Sequence, residues 1–249
     1  MKGFAMRSDG RNLLQMRPVK ITRRFLKHPE GSVLIQLGET KVICTASVEE
    51  DVPRFLKNSN QGWVTSEYSM IPRSTQTRMT RESATGRIGG RTHEIQRLIG
   101  RSLRSVVDLS SFGKRTLWID CDVIQADGGT RTASITGAFV ALADAFAVLK
   151  KKNLLTAGPL KDTVAAISAG MIEGKVYLDL TYEEDSQADV DMNFIMTGSG
   201  GLVEVQGTAE RNPFTEKNLQ GMLASAKKAI LMLTEIQKKS LRTTQGLWR

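Results

Sequence analysis

The sequence predicts an α/β (α+β) fold with two similar βαβ-type halves, mixed sheets and packed helices. Three observations predict it. Short alternating segments bounded by glycine turns recur along the chain. Long segments with apolar residues at three- and four-residue steps follow them. That order, strands and then helices, occurs twice. The 249 residues, 40% hydrophobic and 24% charged, suffice for a hydrophobic core without disulfide or metal staples. The expected organisation is one domain of two pseudo-repeated halves, about 7–155 and 156–240, with a tail at 241–249. Identity between the halves is too low to read a repeat from the letters alone.

Taken in order, residues 19–25 form a short extended segment. Residues 32–37 and 41–48 alternate and flank Gly38-Glu39-Thr40, which reads as a hairpin. Residues 49–90 show little sustained periodicity and carry Pro53, Pro72, Gly62, Gly86, Gly89 and Gly90, so they read as a long functional loop or an unrecognised element. Residues 92–107 place Ile95, Leu98, Ile99, Leu103, Val106 and Val107 on one helical face, with Arg97, Arg101 and Arg104 as a basic stripe. Residues 116–125 alternate Leu117, Ile119, Cys121 and Val123 against Asp120 and Asp122, a half-buried strand. After Asp127-Gly128-Gly129-Thr130, a helix is expected over 132–152, with Lys150, Lys151 and Lys152 suiting its C-terminus. Residues 164–172 and 176–181 flank Glu173-Gly174-Lys175 as a second hairpin. Residues 192–196 and 202–205 flank a turn at 198–201, and a last helix covers 215–238. Beyond Ser240 the tail is expected to be weakly structured, with Trp248 able to dock.

Composition excludes disorder and collagen. No run approaches the roughly 18 apolar residues of a membrane helix, so no membrane partner is expected. The first ten residues lack an apolar h-region, and a cytoplasmic location is the expectation. The two cysteines, Cys44 and Cys121, lie in apolar strand patterns and read as buried, inert thiols. With only His28 and His93, a multi-histidine metal centre is excluded. His28 reads as a turn residue, and His93 sits beside Arg91 in a first helical turn.

Net charge is +9, and its distribution says more. From Arg54 to Arg104 ten basic residues face three acids, a balance of +7. From Glu173 to Asp191 seven acids face one base, a balance of −6.

Four stretches can carry chemistry. Asp127 to Ser134 joins a strand to a helix start, where backbone N–H groups and the helix dipole favour an anion. Gly129 lets the backbone approach closely, Thr130, Thr132 and Ser134 add hydroxyls, and Arg131 adds a fork that matches phosphate. An ordinary glycine turn with a threonine cap fits the same letters. Gly89-Gly90-Arg91-Thr92 repeats this logic at the basic helix. Asp185 and Asp191, with Glu183, Glu184 and Asp189 near them, suit a hard cation such as Mg²⁺ or proton donation to a leaving oxygen; the alternative is a solvated acidic loop. Arg73, Arg78 and Arg81, near Trp63 and Tyr68, suit a nucleic-acid backbone with aromatics available for stacking.

Long runs containing these residues closely resemble the bacterial ribonuclease PH family, the phosphorolytic tRNA nucleotidyltransferases. They are Gln61 to Thr75 (QGWVTSEYSMIPRST), Gly89 to Arg101 (GGRTHEIQRLIGR) and Asp120 to Gly137 (DCDVIQADGGTRTASITG). Glu184-Asp185-Ser186, Asp191-Met192-Asn193 and Glu204 to Glu210 match as well. The resemblance covers roughly residues 7–238. It implies a fold related to polynucleotide phosphorylase and the exosome core, and a homohexamer built from dimers. It implies that inorganic phosphate, as co-substrate, attacks the terminal phosphodiester of precursor tRNA and other RNA 3′ ends, releasing nucleoside 5′-diphosphates. It places phosphate binding on Arg91, Gly129, Thr130 and Arg131, and the catalytic, Mg²⁺-associated aspartates on Asp185 and Asp191. It places RNA binding on Arg73, Arg78 and Arg81, with Arg97 of the basic stripe grouped beside them. Two other readings compete: a catalytically silent RNA-binding ring subunit, and a metal-dependent hydrolytic nuclease.

Overall fold

A computed structural model describes residues 7–242 and 246–249. The first sheet holds β1 (Val19–Arg23), β2 (Gly31–Leu37), β3 (Thr40–Glu49), β4 (Trp63–Met70) and β5 (Thr116–Gln125), in the order β1-β2-β3-β5-β4. Neighbours run antiparallel except β4, which runs parallel to β5. The second sheet holds β6 (Val164–Ile172), β7 (Lys175–Leu178), β8 (Val190–Thr197) and β9 (Leu202–Ala209), in the order β7-β6-β8-β9. Its pairs are all antiparallel, so the expected mixed sheet holds for the first sheet only. A tight turn fixes the β6–β7 pair. Glu173 and Gly174, at φ 50° and 71°, reverse the chain in two residues, which only antiparallel strands accept.

The helices are α1 (Glu82–Thr85), α2 (Gly90–Ser105), α3 (Thr130–Lys151), α4 (Tyr182–Gln187) and α5 (Glu216–Ser240). The organising element is α3. It packs on β2 and β3 of the first sheet and on β6 of the second. Ile135, Phe139, Leu142 and Phe146 are fully buried. By length and composition α3 is apolar enough to cross a membrane, contrary to the sequence expectation, but 89% of its most apolar window is buried inside the protein. Burial on both sides removes the polar face that a surface helix shows. Strand β6 is buried on both faces. Val164 and Ala166 join the core around α3, whereas Ala165, Ile167 and Ala169 join Met222, Ala226, Ile230 and Leu233 of α5. Gln237 of α5 donates to the Thr136 and Val164 carbonyls, both at 2.9 Å, and ties the layers together.

Several expectations change. The irregular stretch 49–90 contains β4, whose inward residues are Val64, Ser66 and Tyr68. A polar Ser66 at an inward position hid the alternation; its hydroxyl donates to the Gln96 carbonyl at 2.6 Å. Helix α3 starts at Thr130, two residues earlier than the spacing predicts. The acidic stretch is no open loop, because α4 forms there on a Thr181–Glu184 capping box. Part of the tail is ordered: Leu247 is fully buried, and Trp248 pairs with Leu160 and lies 6.3 Å from the Phe139 ring. Residues 243–245 of that tail lie outside the described residues. Cys44 and Cys121 are free, buried and opposite each other on β3 and β5, with sulfurs 3.9 Å apart. Their mutual hydrogen bond and burial push the Cys121 thiol up, consistent with the inert reading.

Candidate active site

Strand β5 ends beside the turn Asp127-Gly128-Gly129, where both glycines take left-handed φ of 73° and 63°. Gly129 is the N-cap of α3, and no side chain caps that end. The first-turn N–H groups are therefore placed to receive an anion. Thr40 grips the turn: its hydroxyl donates to the Gly128 carbonyl at 2.7 Å and accepts from the Asp127 N–H at 3.0 Å. The Tyr68 hydroxyl donates to Thr130 Oγ1 at 2.9 Å, fixing that threonine's side chain. Two expected donors are withdrawn. The Thr132 and Ser134 hydroxyls turn back to the Gly129 and Thr130 carbonyls.

A Cβ on Gly128 would stand 2.4 Å from the Leu180 carbonyl oxygen, so the turn lies directly against the chain entering α4. That helix sorts the acidic run. Glu184 turns inward, where Arg7 donates to both of its carboxylate oxygens. Asp185, one residue on, stays exposed. Asp191 sits half-buried near the start of β8. The structure thus separates two acids that the sequence shows as neighbours.

Electrostatics join the predicted residues. Asp191 is pushed up to about 6, first by burial and then by the Asp185 charge, against the pull of Arg131 and Arg91. Asp185, exposed as a whole residue, is also raised by partial desolvation of its carboxyl, with Arg91 and Arg131 pulling it back. Glu210 raises both. Arg91, Arg131, Asp185, Asp191 and Glu210 therefore share one site. Arg131 is held by Glu94 and Gln206, each accepting from Nη1 at 3.1 Å. Gln206 in turn donates to Glu94 at 2.8 Å and to Glu204 at 3.1 Å.

The remaining expectations divide. The second anion cradle, at the start of α2, is already engaged by Glu82, whose carboxylate accepts from the Gly89 N–H at 3.1 Å and the Thr92 hydroxyl at 2.9 Å. Arg91 contributes through its charge instead. Arg73, Arg78 and Arg81 are exposed, and Arg81 pulls on Asp122 of β5. Trp63 and Tyr68 are not stacking surfaces for RNA. Trp63 carries Arg104 over its ring at 4.4 Å and meets the Phe55 ring edge-on, and Tyr68 is buried. Within the basic stripe Arg101 pairs with Glu204 at 2.7 Å, and Arg104 donates to the Val64 carbonyl. Arg97 is exposed. His93 is exposed in the first turn of α2.

Sequence reasoning missed Arg7, Arg11, Arg17 and Asp179, which are buried together behind the turn and α4. No local pattern marks them: three arginines lie in irregular chain before β1, and the acid that pairs with Arg11 and Arg17 lies more than 160 residues away. It also gave no role to Glu94 or Gln206, and it offered Tyr68 for stacking, whereas Tyr68 holds Thr130.

The donors suit a hard cation. Among the described residues no three His, Cys, Asp or Glu side chains converge to hold a metal by themselves. Asp185 and Asp191 supply two carboxylates, the charge of the first raising the second, which fits Mg²⁺ shared with water and substrate phosphates.

An uncapped helix N-terminus beside two arginines, facing two carboxylates of unequal acidity, defines a site for phosphoryl transfer. Residues 15–147 match the model of the 3′ exoribonuclease family, domain 1, and residues 162–229 match domain 2 of the same family. The chain belongs to this 3′ exoribonuclease family. It is 59% identical over 236 residues to ribonuclease PH of Moorella thermoacetica, covering 95% of this chain and 94% of that protein. Among solved structures it is similar to a chain of the Archaeoglobus fulgidus exosome with RNA bound to the active site (TM-score 0.79, 21% identity, 93% and 92% of the two chains). It is also similar to rice Rrp46 (TM-score 0.77, 23% identity, 95% and 100%). At those identities the two structures speak for the fold alone.

Proposed function

We propose that this chain trims 3′ extensions of precursor tRNA by phosphorolysis, releasing nucleoside 5′-diphosphates, and works in reverse as a nucleotidyltransferase. The observation that carries the reading is the uncapped N-terminus of α3, with Arg131 and Arg91 beside it, facing Asp185 and Asp191. Phosphorolysis must hold a free phosphate as well as the scissile one, and this cradle with its two arginines supplies donors for that second anion. Both substrates are anions, so the arginines and helix dipole offset their repulsion and hold phosphate in line. A phosphate oxygen forms a bond to the terminal phosphorus, and the P–O3′ bond breaks. The departing 3′ oxygen takes a proton, and the nucleoside diphosphate leaves. Asp191 is the donor of that proton, because its burial keeps a carboxylic acid available near neutral pH. Asp185 would hold Mg²⁺, shared with water and substrate phosphates, and the ion would neutralise charge on the scissile group when bound. One phosphate ester is exchanged for a phosphoanhydride, which supports reversibility.

Arg73, Arg78, Arg81 and Arg97, all exposed, form the proposed contact with the RNA backbone. A homohexamer built from dimers is part of the proposal. Leu202 and Val205 on β9, with Leu231 and Met232 on α5, offer exposed apolar surface for burial between subunits.

The test is product analysis on tRNA with a short 3′ extension and Mg²⁺, with and without inorganic phosphate. Phosphate-dependent release of nucleoside diphosphates is expected. Monophosphates released without phosphate would make the protein a hydrolase, and tight RNA binding without release would make it a silent ring subunit.

A further inference from the structure

We infer that Arg17 is a positioning residue that sets the phosphate-binding turn against the helix bearing Asp185; the inference rests on the phosphorolytic reading above. Arg17 is 4% exposed and lies outside every motif that marked the site. One arm of it grips Asp179. The backbone N–H of Arg17 donates to Asp179 Oδ2 at 2.7 Å, Nε to the same oxygen at 3.0 Å, and Nη2 to Oδ1 at 2.6 Å. The other arm reaches the turn. Nη1 donates to the Asp127 carbonyl, and Nη2 lies 3.5 Å from the Gly128 carbonyl. Nη2 also reaches the Leu180 carbonyl at 3.2 Å. One guanidinium thus holds two chain segments more than fifty residues apart.

Those segments carry the two halves of the chemistry. Gly129, next to Gly128, stands at the start of α3, and Thr181, two residues after Asp179, caps α4. The turn and the α4 entry are already in backbone contact at Gly128. Asp179 is fully buried at a left-handed φ of 56°, a conformation that its charge pairing with Arg17 and Arg11 offsets. A planar fork satisfies both segments at once. A lysine ammonium is a point charge that can keep Asp179 but cannot also reach both carbonyls. Position 17 therefore controls the spacing between the phosphate cradle and Asp185.

The experiment compares Arg17→Lys with Arg23→Lys. The second variant alters a comparable ion pair, Arg23–Asp144, which joins β1 to α3 away from the turn. Three quantities are measured: the dissociation constant for inorganic phosphate by equilibrium dialysis, RNA affinity without phosphate, and melting temperature. Arg17→Lys should weaken phosphate binding and raise its KM about tenfold, with RNA affinity unchanged. Arg23→Lys should lower the melting temperature similarly and leave phosphate affinity as it was. Equal phosphate affinities in the two variants would overturn the inference, as would parallel losses of phosphate and RNA affinity. If Arg17→Lys does not fold, Asp179→Asn decides on the same readouts. If neither folds, the pair serves folding alone and the inference fails. Should the wild-type protein bind phosphate yet release no diphosphate, the proposed reaction falls while the dialysis still judges Arg17.

Discussion

Replacing Asp191 by Asn should make the protein less active and more stable, and the gain in stability should depend on pH. The carboxyl is pushed from 3.8 to about 6 by burial and by Asp185, despite Arg131 and Arg91. A displacement of about two pH units at about 1.4 kcal/mol each is worth about 3 kcal/mol. That figure is a ceiling, because Asp191 is only half-buried and water screens part of it. The sign follows from proton uptake. Between about pH 4 and 6 the folded chain holds a proton that the unfolded chain has lost, so stability falls as pH rises through that window. Above it the cost is constant. Asparagine carries no such cost, and among the described residues the Asp191 side chain makes no hydrogen bond that the amide would break. Urea unfolding from pH 4 to 8, with chelator and fixed protein concentration, should show equal stabilities at the acid end. At pH 7 to 8 the variant should lead by about 1–3 kcal/mol. A difference independent of pH, or a variant less stable at pH 8, would refute the reasoning. Turnover should fall by about 10²–10⁴ while RNA still binds, the range expected for losing a proton donor.

The other predictions address neighbouring parts of the site. Arg131→Ala should raise the phosphate concentration for half-maximal rate more than Arg91→Ala, because Arg131 is half-buried and held by Glu94 and Gln206, whereas Arg91 is exposed. Phosphate titrations check the order, and an unchanged phosphate dependence in both removes them from the site. Neutralising Arg73, Arg78 and Arg81 together should weaken tRNA binding and reduce its log–log salt slope by about 2–3, measured from 50 to 300 mM salt. A short single-stranded RNA should lose less. Gly128→Ala should push the turn off α4, because its Cβ would meet the Leu180 oxygen at 2.4 Å and the residue needs φ of 73°. Phosphate-dependent turnover should drop at least tenfold, which a progress-curve assay reads directly. Removing Mg²⁺ with a chelator should suppress turnover and leave dialysis binding of phosphate measurable.

Much of this protein was legible in its letters. Alternation over 116–125 and helical spacing over 92–107 identified β5 and α2 to within about two residues, because each pattern reports burial along one local element. The motif residues Arg91, Gly129, Arg131, Asp185 and Asp191 were likewise visible, since each site segment is contiguous. Strand β4 escaped because Ser66 faces inward and finds its partner on another element. The short α4 escaped because six residues give too little periodicity, and its capping box lay inside a run of acids. Tertiary structure alone decided which acids act. Asp179 and Glu184 became buried partners of Arg17 and Arg7, whereas Asp185 and Asp191 were left facing Arg91 and Arg131. Local sequence sets what a segment can form, through spacing and chain stereochemistry. Charge pairing and proton affinity depend on distance through space and on lost solvation, which exist only once segments far apart in the chain have packed together.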